Sequence, residues 1–177
     1  MNLPNKLSII RVCCIPLMVL FMYLQPAWCR WAALAVFLFA SWTDYMDGHI
    51  ARKKQIITDF GKFIDPVADK LLVLSAMIML VHTGLMPAWV VILIMARELA
   101  VDGLRLIAVT NGKVIAAGPA GKLKTASQML FIIVLMVCNI PAASHWITLI
   151  LMIWIIVITV YSGVDYFLKN RALLAEK

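Results

Sequence analysis

Charged residues are scarce in this sequence, and their scarcity excludes most classes of soluble protein. Only 14% of the 177 residues are charged, whereas 64% are hydrophobic. A soluble domain is usually about 45–50% apolar and about 25% charged, and most of its surface must stay wettable. The composition therefore predicts a polytopic membrane protein and excludes soluble enzymes, secreted disulfide scaffolds and disordered tails.

Cysteine is also sparse, and the basic residues show no nucleic-acid pattern. The four cysteines form no CxxC pair, so their spacing indicates neither a zinc site nor a disulfide framework. The formal net charge is +7, but no basic domain carries the interleaved aromatic residues of a nucleic-acid-binding surface. We therefore expect no nucleic-acid partner. In a membrane protein, an excess of Lys and Arg sets the topology.

Long apolar runs take the place of the missing charge. A helix that crosses about 30 Å of hydrocarbon needs about 20 mainly apolar residues. The runs are continuous, whereas the strands of a barrel would alternate, so we expect an all-α integral membrane protein with one domain over residues 1–177. Six transmembrane helices are predicted, at Leu7–Leu24, Trp28–Asp47, Asp65–Thr83, Pro87–Val109, Lys124–Ile140 and His145–Leu168.

The basic residues lie unevenly between these spans. Six spans place both termini on one side of the membrane, and the three turns on the other side contain only one basic residue, Arg30. The positive-inside rule then places both termini and the two longer loops in the cytoplasm. The basic residues on the cytoplasmic side are Lys6, Arg52, Lys53, Lys54, Lys62, Lys113, Lys122, Lys124, Lys169, Arg171 and Lys177.

Four of the nine acidic residues stand at the cytoplasmic ends of the second and third spans. Asp44 and Asp47 are three residues apart, Asp65 and Asp69 four, so each pair projects from one helix face. Packing of the two helices would bring four carboxylates together, at a cost of about 2.5–3.5 kcal/mol each at the membrane centre and less near the interface. A hard divalent cation such as Mg²⁺ would offset their charge.

The residues between the two acid pairs favour a ligand site. Gly48 and Ala51 leave room for a ligand to approach the backbone, and Arg52 offers a guanidinium that can bind phosphate through two hydrogen bonds. Gly61 permits a tight approach or a turn before the third helix. The alternative is that the aspartates are helix-end charges at the interface, paired with nearby basic residues.

One motif joins these residues: Asp44-x-x-Asp47-Gly48-x-x-Ala51-Arg52, then eight residues, Gly61, three residues, Asp65, three residues and Asp69. It resembles the signature of the CDP-alcohol phosphotransferase family of integral membrane enzymes. The resemblance implies a six-helix bundle that forms a homodimer in a bacterial inner membrane, with its active site facing the cytoplasm. It also implies transfer of a phosphoalcohol group from a CDP-linked donor to an acceptor hydroxyl, with release of CMP.

The resemblance further implies a role for each residue of the motif. Two Mg²⁺ or Mn²⁺ ions would be held by the metal ligands Asp44, Asp47, Asp65 and Asp69, and Asp69 would also act as the general base. The CDP-linked donor would be bound by Gly48, Ala51, Arg52, Gly61 and Asn5. For Asn5, capping of the first helix is an alternative.

The second half of the chain carries another group of charges. Arg97 and Arg105 are eight residues apart in the fourth span and share roughly one helix face. Lys122 and Lys124 precede the fifth span, where free backbone N–H groups attract anions. These four residues predict a pocket for the phosphate of an anionic acceptor. In the alternative interpretation, the arginines form local ion pairs with acidic neighbours, and the lysines serve only topology.

These basic residues, with Asn2-x-Pro4-Asn5 and Ser162-Gly163, are similar to one branch of the family. That branch implies CDP-diacylglycerol as the donor and sn-glycerol 3-phosphate as the acceptor. Phosphatidylglycerol and inositol phosphate are alternative acceptors, and cation transport is an alternative from a different class, since intramembrane carboxylates also mark transporters. Arg11 in the first span either faces the polar cavity or extends to the interface.

Overall fold

The computed structural model consists of six α-helices, and the part of the chain that it describes contains no strand. It describes all residues except 1–2, 25, 55–58, 113–114, 116–117, 143 and 172–177, and it leaves out the side chains of 3–6, 45, 47–54 and 59–63. The helices are α1 Leu3–Tyr23, α2 Ala27–Lys54, α3 Asp59–His82, α4 Ala88–Thr110, α5 Pro119–Cys138 and α6 Trp146–Lys169. The prediction of an all-α chain is confirmed.

Three local predictions about the helix ends are wrong. Helix α2 continues past the predicted end at Asp47 to Lys54, since no proline follows Asp47 to interrupt it. The connection between the second and third helices is therefore shorter than predicted. Gly61 lies inside α3 and does not form a turn before it. Asn5 is not a cap, since α1 already begins at Leu3.

Helices α5 and α6 are long and apolar enough to cross a membrane, by length and composition. Helix α1 contains a shorter apolar stretch, Leu7–Tyr23. Helices α2 and α4 each carry several charged residues, and some of these belong to the site described below.

Helix α6 reverses the arrangement found on a water-soluble helix. Its buried face includes Thr148, Thr159, Ser162 and Gly163. Small and hydroxyl-bearing residues on the inside are typical of helices that pack within a membrane. Its exposed face is made of large apolar side chains, among them Ile150, Ile153, Trp154, Val157, Val160 and Val164.

The chain divides into two compact units, and the N-terminal unit contains α1, α2 and α3. Helix α1 packs against both α2 and α3, which contact each other less. Near its start, Ser8 donates a hydrogen bond to Asp65 of α3; at its end, Tyr23 stacks on His82 of α3, with ring centroids 5.5 Å apart. Helices α1 and α3 therefore run parallel, and α2 runs antiparallel to both.

The inward faces of α1 and α2 show why these helices pack closely. On α2, Ala33 and Ala40 are completely buried, and small residues of this kind let helix backbones approach each other. On α1 the inward stripe changes character along its length, from polar at the start to apolar further on. The stripe consists of Ser8, Arg11, Ile15 and Met18.

The C-terminal unit contains α4, α6 and α5 up to Leu135. Helices α4 and α6 share a small apolar core formed by Val101, Leu104, Ala108 and Tyr166. The connections are tied together where the amide of Ala142 donates to the carbonyl of Leu85 at 2.8 Å. Helix α5 makes polar contacts with α4 and α6, described below.

Candidate functional site

Two of the predicted metal-binding carboxylates approach each other in the N-terminal unit. Asp44 of α2 and Asp65 of α3 are both half-buried, and their negative charges lie close enough to repel each other. Two like charges near each other raise the energy of the folded chain unless a cation offsets them. The structure supplies part of that compensation from α1.

Arg11 of α1 is completely buried and extends toward α2. Its Nη1 atom lies 2.7 Å from Oδ1 of Asp44. The contact is an ion pair between a buried guanidinium and a carboxylate, and the attraction between opposite charges at this distance is strengthened away from water. The sequence left the direction of Arg11 open, because the partner lies 33 residues away on another helix.

Ser8, one helical turn before Arg11, makes the matching contact with α3. Its hydroxyl donates a hydrogen bond to Oδ1 of Asp65 at 2.5 Å, and the side chain is only 1% exposed. Sequence reasoning missed Ser8. Its position three residues before a charged residue in an apolar run was the available signal, since such residues share a helix face.

Asp69 and Asp47 complete the predicted set of four carboxylates. Asp69 is half-buried on α3, one turn beyond Asp65, whereas the side chain of Asp47 lies outside the described residues. Among the side chains that the structure describes, no three His, Cys, Asp or Glu residues form a group that could hold a metal. The neighbouring carboxylates Asp44 and Asp65 are nevertheless the hard oxygen donors that Mg²⁺ and Mn²⁺ prefer.

The residues predicted to bind the donor lie on three helices. Gly48, Ala51 and Arg52 belong to the last part of α2, Gly61 to the start of α3 and Asn5 to the start of α1. Their side-chain surroundings lie outside the described residues. In the N-terminal unit, the starts of α1 and α3 lie at the same end, because these helices run parallel.

The C-terminal unit contains a buried group of three charges. Glu98 of α4 accepts hydrogen bonds from its neighbour Arg97, at 3.2 Å, and from Lys124 of α5. The three side chains are 12%, 13% and 4% exposed, respectively. The ion pair of Arg97 with Glu98, the alternative to a role in acceptor binding, is thus present, and Lys124 joins it. Because two cations share one carboxylate, the group keeps one positive charge that can attract an anion.

Two glycines, which have no side chain, make room for the side chain of Arg97. A Cβ atom added to Gly163 of α6 would lie 3.2 Å from Cγ of Arg97, and one added to Gly121 would lie 3.9 Å from Nη2. The first distance is tighter than an ordinary van der Waals contact. Gly163, noted in the sequence only as part of a resemblance, therefore allows α6 to approach the arginine.

The contacts of Arg105 are with residues other than the buried group of Arg97, Glu98 and Lys124, and Lys122 is exposed. Arg105 is about one-third exposed; its Nη1 lies 3.9 Å from Asp102, and its Nε donates to the Tyr166 hydroxyl at 3.1 Å. The guanidinium also lies 5.5 Å from the centre of the Tyr166 ring. Lys122 is exposed in the first turn of α5. Nothing in the sequence distinguished Tyr166 as a partner of Arg105.

Comparison with known proteins gives consistent matches over most of the chain. A family model described as CDP-alcohol phosphatidyltransferase matches residues 1–160. A Bacillus subtilis protein named CDP-diacylglycerol–glycerol-3-phosphate 3-phosphatidyltransferase is 42% identical, over 96% of this chain and 95% of the relative. A Pseudomonas fluorescens protein of the same name is 40% identical, over 84% and 78%. A Mycobacterium tuberculosis protein named "Probable phosphatidylglycerophosphate synthase" is also 40% identical, over 93% and 79%.

Proposed function

Because the chain belongs to the CDP-alcohol phosphatidyltransferase family, we propose that it transfers the phosphatidyl group of CDP-diacylglycerol to sn-glycerol 3-phosphate. The products are phosphatidylglycerol phosphate and CMP. The observation that carries this conclusion is 42% identity, over nearly the full length of both chains, to a relative named for that reaction. The buried positive group of the C-terminal unit supports an anionic acceptor.

The reaction is an in-line displacement at phosphorus. A hydroxyl oxygen of glycerol 3-phosphate forms a bond to the lipid-side phosphorus of the donor, and the bond from that phosphorus to the oxygen of the CMP phosphate breaks. CMP leaves with the bonding electron pair. We assign Asp69 as the general base that takes the proton of the attacking hydroxyl, a role in which a positioned carboxylate contributes about 10²–10⁴-fold.

We assign the metal to the carboxylates of Asp44, Asp47, Asp65 and Asp69. The hard oxygen chemistry of Asp44 and Asp65, and their closeness, support this assignment. When bound, two Mg²⁺ or Mn²⁺ ions supply positive charge to the pyrophosphate and to the attacking and leaving oxygens. For the donor, we assign Arg52 to the phosphates, with Gly48, Ala51, Gly61 and Asn5 lining the nucleotide site.

We assign the acceptor phosphate to Arg97, Arg105, Lys122 and Lys124. Arg97 and Lys124 are supported by their burial and by the positive charge left after both pair with Glu98. The assignment of Arg105 is supported by its contact with Tyr166, whose hydroxyl accepts from Nε and whose ring centre lies 5.5 Å from the guanidinium. Lys122 is supported by its exposure at the start of α5, where backbone N–H groups attract anions.

We further propose that all six helices cross a bacterial inner membrane, with both termini and the active site facing the cytoplasm. The uneven distribution of Lys and Arg supports the orientation. The large apolar side chains on the outside of α6 support contact with lipid. We also propose that the chain is one domain and that it works as a homodimer.

CMP release by the purified protein in detergent tests the proposed function. The assay contains CDP-diacylglycerol and Mg²⁺, and either glycerol 3-phosphate, phosphatidylglycerol, inositol phosphate or no acceptor. We expect release only with glycerol 3-phosphate, and its loss when EDTA removes the metal. Release with another acceptor alone would keep the family chemistry and overturn the acceptor assignment. Release at the full rate in EDTA would overturn the metal assignment.

A further inference from the structure

We propose that Ser8 and Arg11 of α1 are positioning residues, which fix the carboxylates of Asp65 and Asp44 in the arrangement that binds the metal. The inference rests on the proposed role of these aspartates as metal ligands. It assigns to the first helix a task outside the signature motif, since neither residue belongs to that motif. Three features of the N-terminal unit lead to it.

The first feature is the place of α1 between the two helices that carry the acids. Helices α2 and α3 pack mainly against α1 and contact each other less. The relative position of the Asp44 and Asp65 carboxylates is therefore set largely through α1. A change in the inward face of α1 acts on both helices at once.

The second feature is that one turn of α1 contacts both carboxylates. Ser8 and Arg11 are three residues apart, so their side chains leave the same face of the helix. Arg11 reaches Asp44 at 2.7 Å, and Ser8 reaches Asp65 at 2.5 Å. Both side chains are buried, at 0% and 1% exposure, so packing restricts their rotamers.

The third feature is the chemistry of the two contacts. Each one engages the Oδ1 atom of its aspartate. A carboxylate has two oxygens with about four acceptor positions, so the hydrogen bond from Ser8 or the ion pair with Arg11 at one oxygen is compatible with a metal ion at the other. Groups that hydrogen-bond to metal ligands in this way orient them, and their loss usually weakens metal affinity or activity about 10–100-fold.

Arg11 adds an electrostatic contribution that Ser8 lacks. Asp44 and Asp65 repel each other, and the buried guanidinium beside Asp44 offsets part of that repulsion. The Arg11 guanidinium thereby helps to keep the Asp44 and Asp65 carboxylates close together. A divalent ion that binds both carboxylates requires this closeness. A lysine would keep the charge but not the planar, multiply hydrogen-bonding guanidinium.

Mn²⁺ binding, measured by electron paramagnetic resonance on the purified protein in detergent, separates positioning from simple structural support. We expect Ser8→Ala to weaken Mn²⁺ binding about tenfold and Ser8→Thr, which keeps the hydroxyl, to restore most of it. Ser127→Ala is the matched control, because it also removes a serine hydroxyl from a side-chain hydrogen bond, here one accepted from Trp154 at 3.0 Å in the C-terminal unit. It should bind Mn²⁺ like the unmodified protein.

A double-mutant cycle identifies the residue through which Ser8 acts. If Ser8 positions Asp65, Ser8→Ala should have no additional effect on Mn²⁺ affinity in an Asp65→Asn background, since the two changes remove one shared interaction. An equal, additive loss in both backgrounds would overturn the inference. Arg11→Lys should weaken Mn²⁺ binding in the unmodified background and have less effect in an Asp44→Asn background.

The remaining outcomes distinguish this inference from the proposed function. Mn²⁺ binding by the unmodified protein that is unchanged in both Ser8→Ala and Arg11→Lys would overturn the positioning role alone. Absence of Mn²⁺ binding in an unmodified protein that releases CMP would overturn the metal assignment, and the positioning role with it. The Tm of each variant in detergent shows whether it remains folded, independently of its metal affinity.

Discussion

Lys124 of α5 donates a hydrogen bond to Glu98 of α4, and both side chains are almost completely buried. Arg97 shares the same carboxylate oxygen. This geometry means that Lys124 has two possible tasks, to neutralise Glu98 and to bind the acceptor phosphate. The two tasks predict different behaviour when both partners are removed together.

Lys124→Met should lower both stability and acceptor affinity. Loss of one partner from a buried ion pair costs about 3–5 kcal/mol, although Arg97 remains beside Glu98 and reduces that cost. We expect a lower Tm in detergent, together with a KM for glycerol 3-phosphate at least tenfold higher and a KM for CDP-diacylglycerol within twofold of normal. Steady-state CMP release at varied concentrations of each substrate measures both constants.

The double variant Glu98→Gln with Lys124→Met decides between the two tasks. Removing both charges should restore part of the Tm, because no uncompensated carboxylate remains although Arg97 loses its pairing with Glu98. The KM for glycerol 3-phosphate should stay high if Lys124 binds the acceptor. Recovery of both the Tm and the KM would show that Lys124 is only the counter-ion of Glu98.

Asp69→Asn should abolish turnover without affecting the fold. The amide has nearly the shape of the carboxylate but cannot take the proton of the attacking hydroxyl, so kcat should fall by about 10²–10⁴-fold. CMP release reports the rate, and the Tm reports the fold. Asp165→Asn is the matched control, since Asp165 pairs with Lys169 on α6 at 2.8 Å and has no proposed role in the reaction. If the Asp69 and Asp165 variants turned over at the same rate, Asp69 would not be the general base.

Tyr166→Phe tests the support of Arg105. The substitution keeps the aromatic ring and the apolar core of α4 and α6, but it removes the hydroxyl that accepts from the Arg105 Nε atom. A hydrogen bond to a charged group contributes about 1.5–3 kcal/mol, and because Arg105 is partly exposed we expect a rise of about three- to tenfold in the KM for glycerol 3-phosphate. Tyr161→Phe, the control, changes an exposed tyrosine of the same helix and should leave every kinetic constant unchanged. Equal KM values for glycerol 3-phosphate in the two variants would contradict the role of the Tyr166 hydroxyl in supporting Arg105.

Gly163→Ala tests the close approach of α6 to Arg97. The new methyl group would lie 3.2 Å from Cγ of Arg97, and the ion pair with Glu98 restricts how far that side chain can move. Overpacking of this kind costs about 1–3 kcal/mol, so the Tm should fall. Gly103→Ala on α4 is the control, because the added methyl group meets no atom within 4 Å. It should raise the Tm or leave it unchanged, since alanine favours the helix. Equal Tm values for the two variants would contradict the close packing of Gly163 on Arg97.

The helical architecture followed from the sequence because its evidence is local. Each apolar run is long enough to be a helix, and each of the six predicted runs overlaps one observed helix. The local ion pairs of the alternative interpretation, Arg97 with Glu98 and Asp102 with Arg105, also involve residues close together on one helix. Local spacing was less informative at the helix ends, where Asn5 and Gly61 fall inside helices.

The contacts between distant residues could not be read from the sequence. The motif predicted that α2 and α3 would bring their acids together by packing on each other, but both helices pack mainly on α1. Ser8 and Tyr166 gave little or no signal, since a serine or a tyrosine in an apolar helix has many structural uses. Their partners lie 57 and 61 residues away, and spacing along one chain does not determine which helix faces which.

The pairing of Arg11 with Asp44 has a consequence for how the chain enters a membrane. These residues lie on consecutive helices joined by a short connection, so they can meet within a helical hairpin before α3 has been synthesised. Each charge alone would oppose insertion, by about 2.5–3.5 kcal/mol at the bilayer centre and less toward the interface, whereas the paired hairpin presents a compensated dipole to the lipid. On the proposed topology, the first two helices are thus suited to insert as one unit, with one of the four acids of the later cluster, Asp44, already paired.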